Sequence, residues 1–137
     1  MPQEMAKIEQ KVIITAKPEA VYNMYVDARK HSELTGSRAT SQPRVGGKIT
    51  AWDGYAFGKY LKLEKGKKIV QNWKTTEWPK GYPPSILEIT LKPEKRGTEL
   101  TMVQSNVPAE QAADYRQGWI DFYWKPLQDY FKAHSEA

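Results

Sequence analysis

Cysteine is absent from the 137 residues, which excludes disulfides, a thiolate nucleophile and any cysteine-ligated metal. No stretch approaches the ~20 consecutive apolar residues of a membrane-spanning helix, and residues 1–7 are polar, without the apolar centre of a secretory signal. Histidine is scarce: His31 falls in a short helical stretch and His134 near the C-terminus. Neither has a companion at metal-ligand spacing, so both are expected at the surface. There is also no glycine-rich phosphate loop and no serine nucleophile motif. The chain is therefore read as soluble and cytoplasmic, with no metal, no cofactor and no catalytic set assigned.

Charge is plentiful. Lys and Arg number 21 against 16 Asp and Glu, a formal +5, which raises the possibility of a nucleic-acid partner. Its distribution argues otherwise. Lys59, Lys62, Lys65, Lys67 and Lys68 bracket Gly66, and Lys92, Lys95 and Arg96 bracket Gly97, but Glu64, Glu94 and Glu99 are interleaved with them. Basic hairpin ends of this kind are solvated surface that blunts strand edges. No nucleic-acid partner is expected. The chain is long enough for one core that buries about two-thirds of its unfolded surface. With no repeat, low-complexity tract or linker, 1–137 is read as a single domain.

Apolar periodicity orders the elements. Ile8, Val12, Ile14 and Ala16 share one strand face, with Glu9, Lys11 and Thr15 on the other. Pro18 suits the first position of a helix that runs to about Asp27. A second helix is predicted over 28–35, with Gly36 placed to end it in the left-handed region. A weak strand at 38–42 is followed by strands at 48–52 and 55–63, joined by Asp53-Gly54 as a tight hairpin turn. The next strand covers 68–77, and prolines make 78–84 a loop. Strands at 86–92 and 98–105 then form a hairpin across 93–97. Leu87, Ile89 and Leu91 share a face in the first of these, and Leu100, Met102 and Gln104 in the second.

Residues 115–131 form the most informative stretch. Tyr115, Trp119, Phe122, Tyr123, Leu127, Tyr130 and Phe131 recur at helical spacing as one broad apolar stripe. Pro126 lies inside it and predicts a bend, at a cost of about 3 kcal/mol. Burying Trp119 and Phe122 against a sheet would offset that, at roughly 1.5–3 kcal/mol each. The fold class is α+β: a curved antiparallel sheet of six or seven strands wrapped on a long C-terminal helix, with one or two short helices after the first strand.

Several ordered segments carry a family resemblance. They are Val45-Gly46-Gly47-Lys48-Ile49, Asp53-Gly54, Gly58, Lys68-Ile69-Val70-Gln71-Asn72-Trp73, Trp78-Pro79, Gly97-Thr98-Glu99-Leu100, Val107-Pro108, and Gly118-Trp119 with Tyr123 and Leu127. Together they resemble the activator of heat-shock chaperone ATPase homologue family, a branch of the START-like, helix-grip superfamily (SRPBCC, birch-pollen-allergen-like). The resemblance covers essentially the whole chain. It corresponds to the C-terminal domain of the founding eukaryotic activator, whose main chaperone contact is made by a separate N-terminal domain. It implies a cavity between sheet and helix that takes small apolar or aromatic molecules. Three activities are implied: hydrophobic-ligand binding, co-chaperone modulation of a heat-shock chaperone ATPase, or cyclase or dehydratase chemistry on a polyketide-type substrate. Monomer and homodimer both remain open.

Strand parity and the helix stripe aim Gln71, Trp73, Leu100, Met102, Gln104, Tyr115, Trp119 and Phe122 at that space. The aromatic residues and Met102 could equally fill it as core. Gln71 and Gln104 would either orient a ligand or hydrogen-bond each other or the Trp119 indole, because a buried amide without a partner costs roughly 1–3 kcal/mol. Asp53, Glu77 and Asp121 are the carboxylates nearest the aromatic lining. Asp53 is expected as a turn former and Asp121 as a solvated helix residue. Arg38 and Arg116 could receive an anionic group at the mouth, or serve solubility.

Overall fold

Alternating apolar and polar residues resolve into seven strands: β1 (Met5–Ile14), β2 (Thr40–Ser41), β3 (Lys48–Ala51), β4 (Ala56–Glu64), β5 (Lys68–Thr75), β6 (Ser85–Glu94) and β7 (Gly97–Pro108). The computed structural model describes residues 4–134, so the first three residues of the polar stretch at 1–7 lie outside the described residues. All neighbouring strands are antiparallel, in the order β1-β7-β6-β5-β4-β3-β2. The first strand therefore closes onto the last, and the rest is a meander. Register aligns the inward residues in rows: Gln71, Leu87, Gln104 and Ile8 form one, and Ile69, Ile89 and Met102 the next. No helix among the described residues is long and apolar enough to cross a membrane.

Between β1 and β2 lie α1 (Pro18–Val26) and α2 (Ala28–Thr35). Pro18 starts α1, and the Asp27 carboxylate caps α2 by accepting from the Lys30 backbone N–H at 2.9 Å. Gly36 ends α2 at φ 73°, a conformation that costs glycine nothing. These ends agree with the sequence reading.

The β3–β4 turn does not. Ala51 pairs with Ala56, so the connection is 52–55 rather than a two-residue Asp53-Gly54 turn. Trp52, Asp53 and Gly54 all have positive φ, at 57°, 55° and 90°. The Asp53 N–H donates to the Arg38 carbonyl at 2.8 Å, tying the turn to the segment before β2. A tryptophan in the left-handed region carries strain of about 1–2 kcal/mol. Trp52 thus leaves the strand expected of it.

The C-terminal helix is also not uniform. After a 3-10 turn (Ala109–Gln111), α3 (Ala112–Trp119) passes through a π-helical segment (Ile120–Trp124) into α4 (Lys125–Ala133). In place of a simple bend at Pro126, the backbone widens one turn earlier, where the Lys125 N–H donates to the Ile120 carbonyl. Inward residues fall at Tyr115, Trp119, Tyr123, Leu127 and Phe131. Each step of four overshoots the 3.6-residue turn by about 0.4 residue, and the wide segment absorbs the drift. Tyr123 rather than Phe122 therefore faces the sheet. Phe122 is 54% exposed, so the burial that offsets Pro126 comes from Trp119, Tyr123, Trp124 and Leu127.

Widening frees a carbonyl, and β1 takes it. The Ile120 N–H bonds the Gln117 carbonyl, while the Arg116 carbonyl accepts from Gln10 Nε2 at 2.9 Å. Gln10 Oε1 accepts from the Trp124 indole at 2.6 Å, so one amide braces both sides of the wide turn.

His31 corrects the expectation of a surface residue. It is 1% exposed, on the inward side of α2. Nδ1 lies 2.8 Å from the Tyr25 carbonyl, which can only accept, so Nδ1 carries the proton. Nε2 is then left to accept from the Tyr123 hydroxyl at 2.7 Å. Burial lowers its pKa, with the backbone bond to Tyr25 acting against the shift. At this end the interior is solid: Val21, Tyr25, Leu34, Leu100, Trp124 and Leu127 are among the walls of a void of only ≈10 Å³.

Candidate functional site

At the other end the sheet and helix part. The 52–55 turn, the end of β5 and α3 leave a cleft of ≈230 Å³, walled by Trp52, Tyr55, Trp73, Tyr115, Trp119, Phe122 and Tyr123, with Ala56, Glu77, Gln111, Asp114 and Gly118 completing the lining. Its aromatic rings support one another. Trp73 meets Tyr115 edge-on at 5.1 Å and Trp119 at 5.7 Å, while Trp52 meets Phe122 edge-on at 5.5 Å. Trp78 stacks behind Tyr115 at 5.9 Å, and its indole N–H donates to the Pro83 carbonyl at 2.9 Å, anchoring the proline loop. A broader depression of ≈470 Å³ on the outward face of β3, β4 and β5 is lined by Lys48, Phe57, Lys59 and Lys74. It has no tryptophan among its walls.

Of the residues aimed at this space by parity, Trp73, Tyr115, Trp119 and Phe122 line the cleft, with Phe122 at its exposed rim. Gln71, Leu100, Met102 and Gln104 do not. Gln104 is 0% exposed; its Oε1 accepts from the Trp119 indole at 2.8 Å, and its Nε2 donates to the Ser85 hydroxyl at 3.0 Å. Of the roles weighed for this amide, the indole partner is the one present. Gln71 accepts from the Tyr25 hydroxyl and donates to the Asn72 carbonyl at 3.1 Å. Both amides are satisfied within the protein. Leu100 belongs to the solid end, and Met102 is core.

Sequence reasoning missed Trp52, Tyr55, Ala56, Gln111, Asp114, Gly118 and Tyr123 as lining. Asp53-Gly54 signalled a turn, but nothing in that dipeptide says that the residue before it swings out of the strand. Tyr123 was legible in the uniform step of four. Among the carboxylates, Glu77 lines the cleft, whereas Asp121 accepts from Gln117 at 3.0 Å and pairs with Lys125 at 3.7 Å. Arg116 reaches the Lys7 carbonyl at 3.5 Å, and neither it nor Arg38 is in the lining.

A hydrogen-bonded ring closes the polar side of the cleft. The Thr75 and Tyr115 hydroxyls are 2.8 Å apart, and the Tyr115 hydroxyl donates to Gln111 Oε1 at 2.9 Å. Gln111 Nε2 donates to the Glu77 carbonyl at 2.7 Å, and the Tyr55 hydroxyl donates to the Glu77 carboxylate. Burial, followed by the Glu77 bond, pushes the Tyr55 pKa up, and burial does the same for Tyr115. Both phenols therefore stay protonated at neutral pH. The Asp114 carboxylate makes no hydrogen bond or ion pair among the described residues. No group of three or more His, Asp or Glu among the described residues is arranged to hold a metal ion.

The model of the family described as activator of Hsp90 ATPase homolog 1-like protein matches residues 15–132. The chain belongs to this family. It is similar to the human activator of 90 kDa heat shock protein ATPase homolog 1, at 30% identity over 91% of this chain and 37% of the human protein. The chain thus spans little more than a third of that relative's length. Among solved structures, an HSP90 activator from Plasmodium falciparum superposes with a TM-score of 0.81 at 23% identity, covering 93% of this chain and 96% of that one. The Aha1 dimer from Colwellia psychrerythraea superposes with a TM-score of 0.80 at 18% identity, covering 96% and 99%. At those identities the likeness is one of fold, and it agrees with the curved antiparallel sheet closed on a long C-terminal helix.

Proposed function

We propose that this cytoplasmic family member binds a small hydrophobic or aromatic molecule in the cleft between α3, the 52–55 turn and the end of β5. The observation that carries this reading is a cleft walled by aromatic rings, in which the Tyr55, Tyr115 and Tyr123 hydroxyls and the Trp119 indole are hydrogen-bonded within the protein. The apolar ring surface that remains is left to a ligand. At ≈230 Å³ the space is smaller than the roughly 300 Å³ at which drug-sized pockets begin, so it suits a molecule of one or two rings. A panel of fatty acids, flavonoids and aromatic dyes tests this by thermal unfolding. At least one member should raise Tm through binding linkage, about 2.7 kcal/mol at a hundredfold excess over Kd. Gly118→Leu, which fills the cleft, should abolish the shift. No shift from any member would overturn the reading.

A second reading rests on the relatives' names: modulation of the ATPase of a 90 kDa heat-shock protein. Steady-state ATP turnover by such a chaperone should then change when the domain is added. Unchanged turnover together with no capture of the chaperone would remove this option.

A further inference from the structure

Charge around the cleft runs against the charge of the molecule. Lys and Arg outnumber Asp and Glu by 21 to 16 over the chain, yet the lining holds Glu77 and Asp114 and no basic side chain. Both carboxylates are exposed at the mouth. Neither forms an ion pair among the described residues, in contrast to Asp121 and Glu94, which pair with Lys125 and Arg96.

This arrangement sorts ligands by charge. A neutral guest that closes the mouth strips water from two carboxylates and returns nothing to them, and an anionic guest adds repulsion. A cationic guest compensates both. Its charge also sits among the rings of Trp52, Trp73, Tyr115 and Trp119, the residue types whose quadrupoles hold ammonium groups. The basic side chains of the chain lie outside the lining.

We infer that the cleft selects an organic cation: an aromatic or N-methylated amine of one or two rings, seated on the aromatic walls with its charge toward Glu77 and Asp114. The inference rests on the cleft being a ligand site, and the probes separate the two. Phenyltrimethylammonium and its isosteric hydrocarbon tert-butylbenzene share one shape and differ in charge, and 4-tert-butylbenzoate adds an anionic group to the same hydrocarbon. Titrated into the protein and followed by chemical-shift perturbation in 0.15 M salt, the cation should bind about tenfold tighter than the hydrocarbon, a difference of about 1.4 kcal/mol. Asp114→Asn and Glu77→Gln should each weaken the cation by about threefold to tenfold and leave the hydrocarbon unchanged. The Asp114 carboxylate has no hydrogen-bond or ion-pair partner among the described residues and only the first turn of α3 to favour its charge, so its variant should melt only slightly below the parent. Hydrocarbon or anion binding as tightly as the cation would overturn the charge assignment and leave the cleft standing. Binding of none of the three up to millimolar concentration would overturn both.

Discussion

The same sheet and the same helix enclose two different interiors. Toward α1 and α2, the helix from the end of the wide turn onward presents Trp124 and Leu127 to Leu100, Ile89 and Val21, and leaves ≈10 Å³. Toward the 52–55 turn, α3 presents Tyr115, Gly118 and Trp119 and leaves ≈230 Å³. Composition does not separate the two ends, since both are rich in aromatics. The difference lies in three local features. A glycine stands where a helix would otherwise project a side chain, a tryptophan is held away from the sheet by positive φ, and the helix changes pitch between the two ends. A cavity in this fold is made by placement of rings rather than by shortage of them.

Substitutions at the two ends should break or sharpen that contrast. Leu100→Ala, in the solid end, should cost about 2–5 kcal/mol in urea denaturation, because a close-packed site cannot collapse around the lost atoms. Phe122→Ala, at the open rim, should cost under about 1 kcal/mol. Equal losses would show that the open end is packed in solution. At the boundary, Trp119→Phe removes the indole N–H and strands the Gln104 carbonyl oxygen, for about 1–3 kcal/mol. Gln104→Leu in the same background should restore part of it.

Acid should act on the solid end through His31. His31 has a folded-state pKa below its ordinary value, so the unfolded chain binds more protons in that window, and stability falls as pH drops below about 6.5 toward the lowered value. The slope is bounded by one proton, about 1.4 kcal/mol per pH unit. His31→Gln should flatten it, and a slope unchanged by that substitution would place the titration elsewhere. Last, Gly118→Ala should raise stability by about 0.5–1 kcal/mol, because a helical glycine is entropically costly and the added Cβ meets Phe122 at an ordinary 3.8 Å. The same change should weaken whatever binds in the cleft.

Much of the frame was legible in the residues. Parity placed Leu87, Ile89, Leu91, Leu100, Met102 and Gln104 on one buried face, and Pro18 and Gly36 marked the helix ends, because these signals depend on local backbone geometry alone. The site was less legible, for reasons that are also local. His31 sits in Ala28-Arg29-Lys30-His31-Ser32-Glu33-Leu34-Thr35, a stretch so polar that its inward position cannot be told from its outward ones until Tyr123 arrives from ninety-two residues away. Trp52 was lost because its conformation is imposed by the Asp53 N–H reaching Arg38, a tertiary bond with no dipeptide signature. Phe122 and Tyr123 are adjacent aromatics, and choosing between them required noticing that the stripe advances by four at every step.

A helix is a screw, and a wide turn lets it hold one more residue without changing the face it presents beyond. One residue at ordinary pitch is a rotation of about 100°, and the 120–124 segment takes that rotation up. Removing one of those five would let the turn close to ordinary pitch with Leu127 and Phe131 still toward the sheet. What would go is the Arg116 carbonyl that Gln10 holds, so a single deletion there should loosen the tie between helix and β1 and leave the apolar stripe in place.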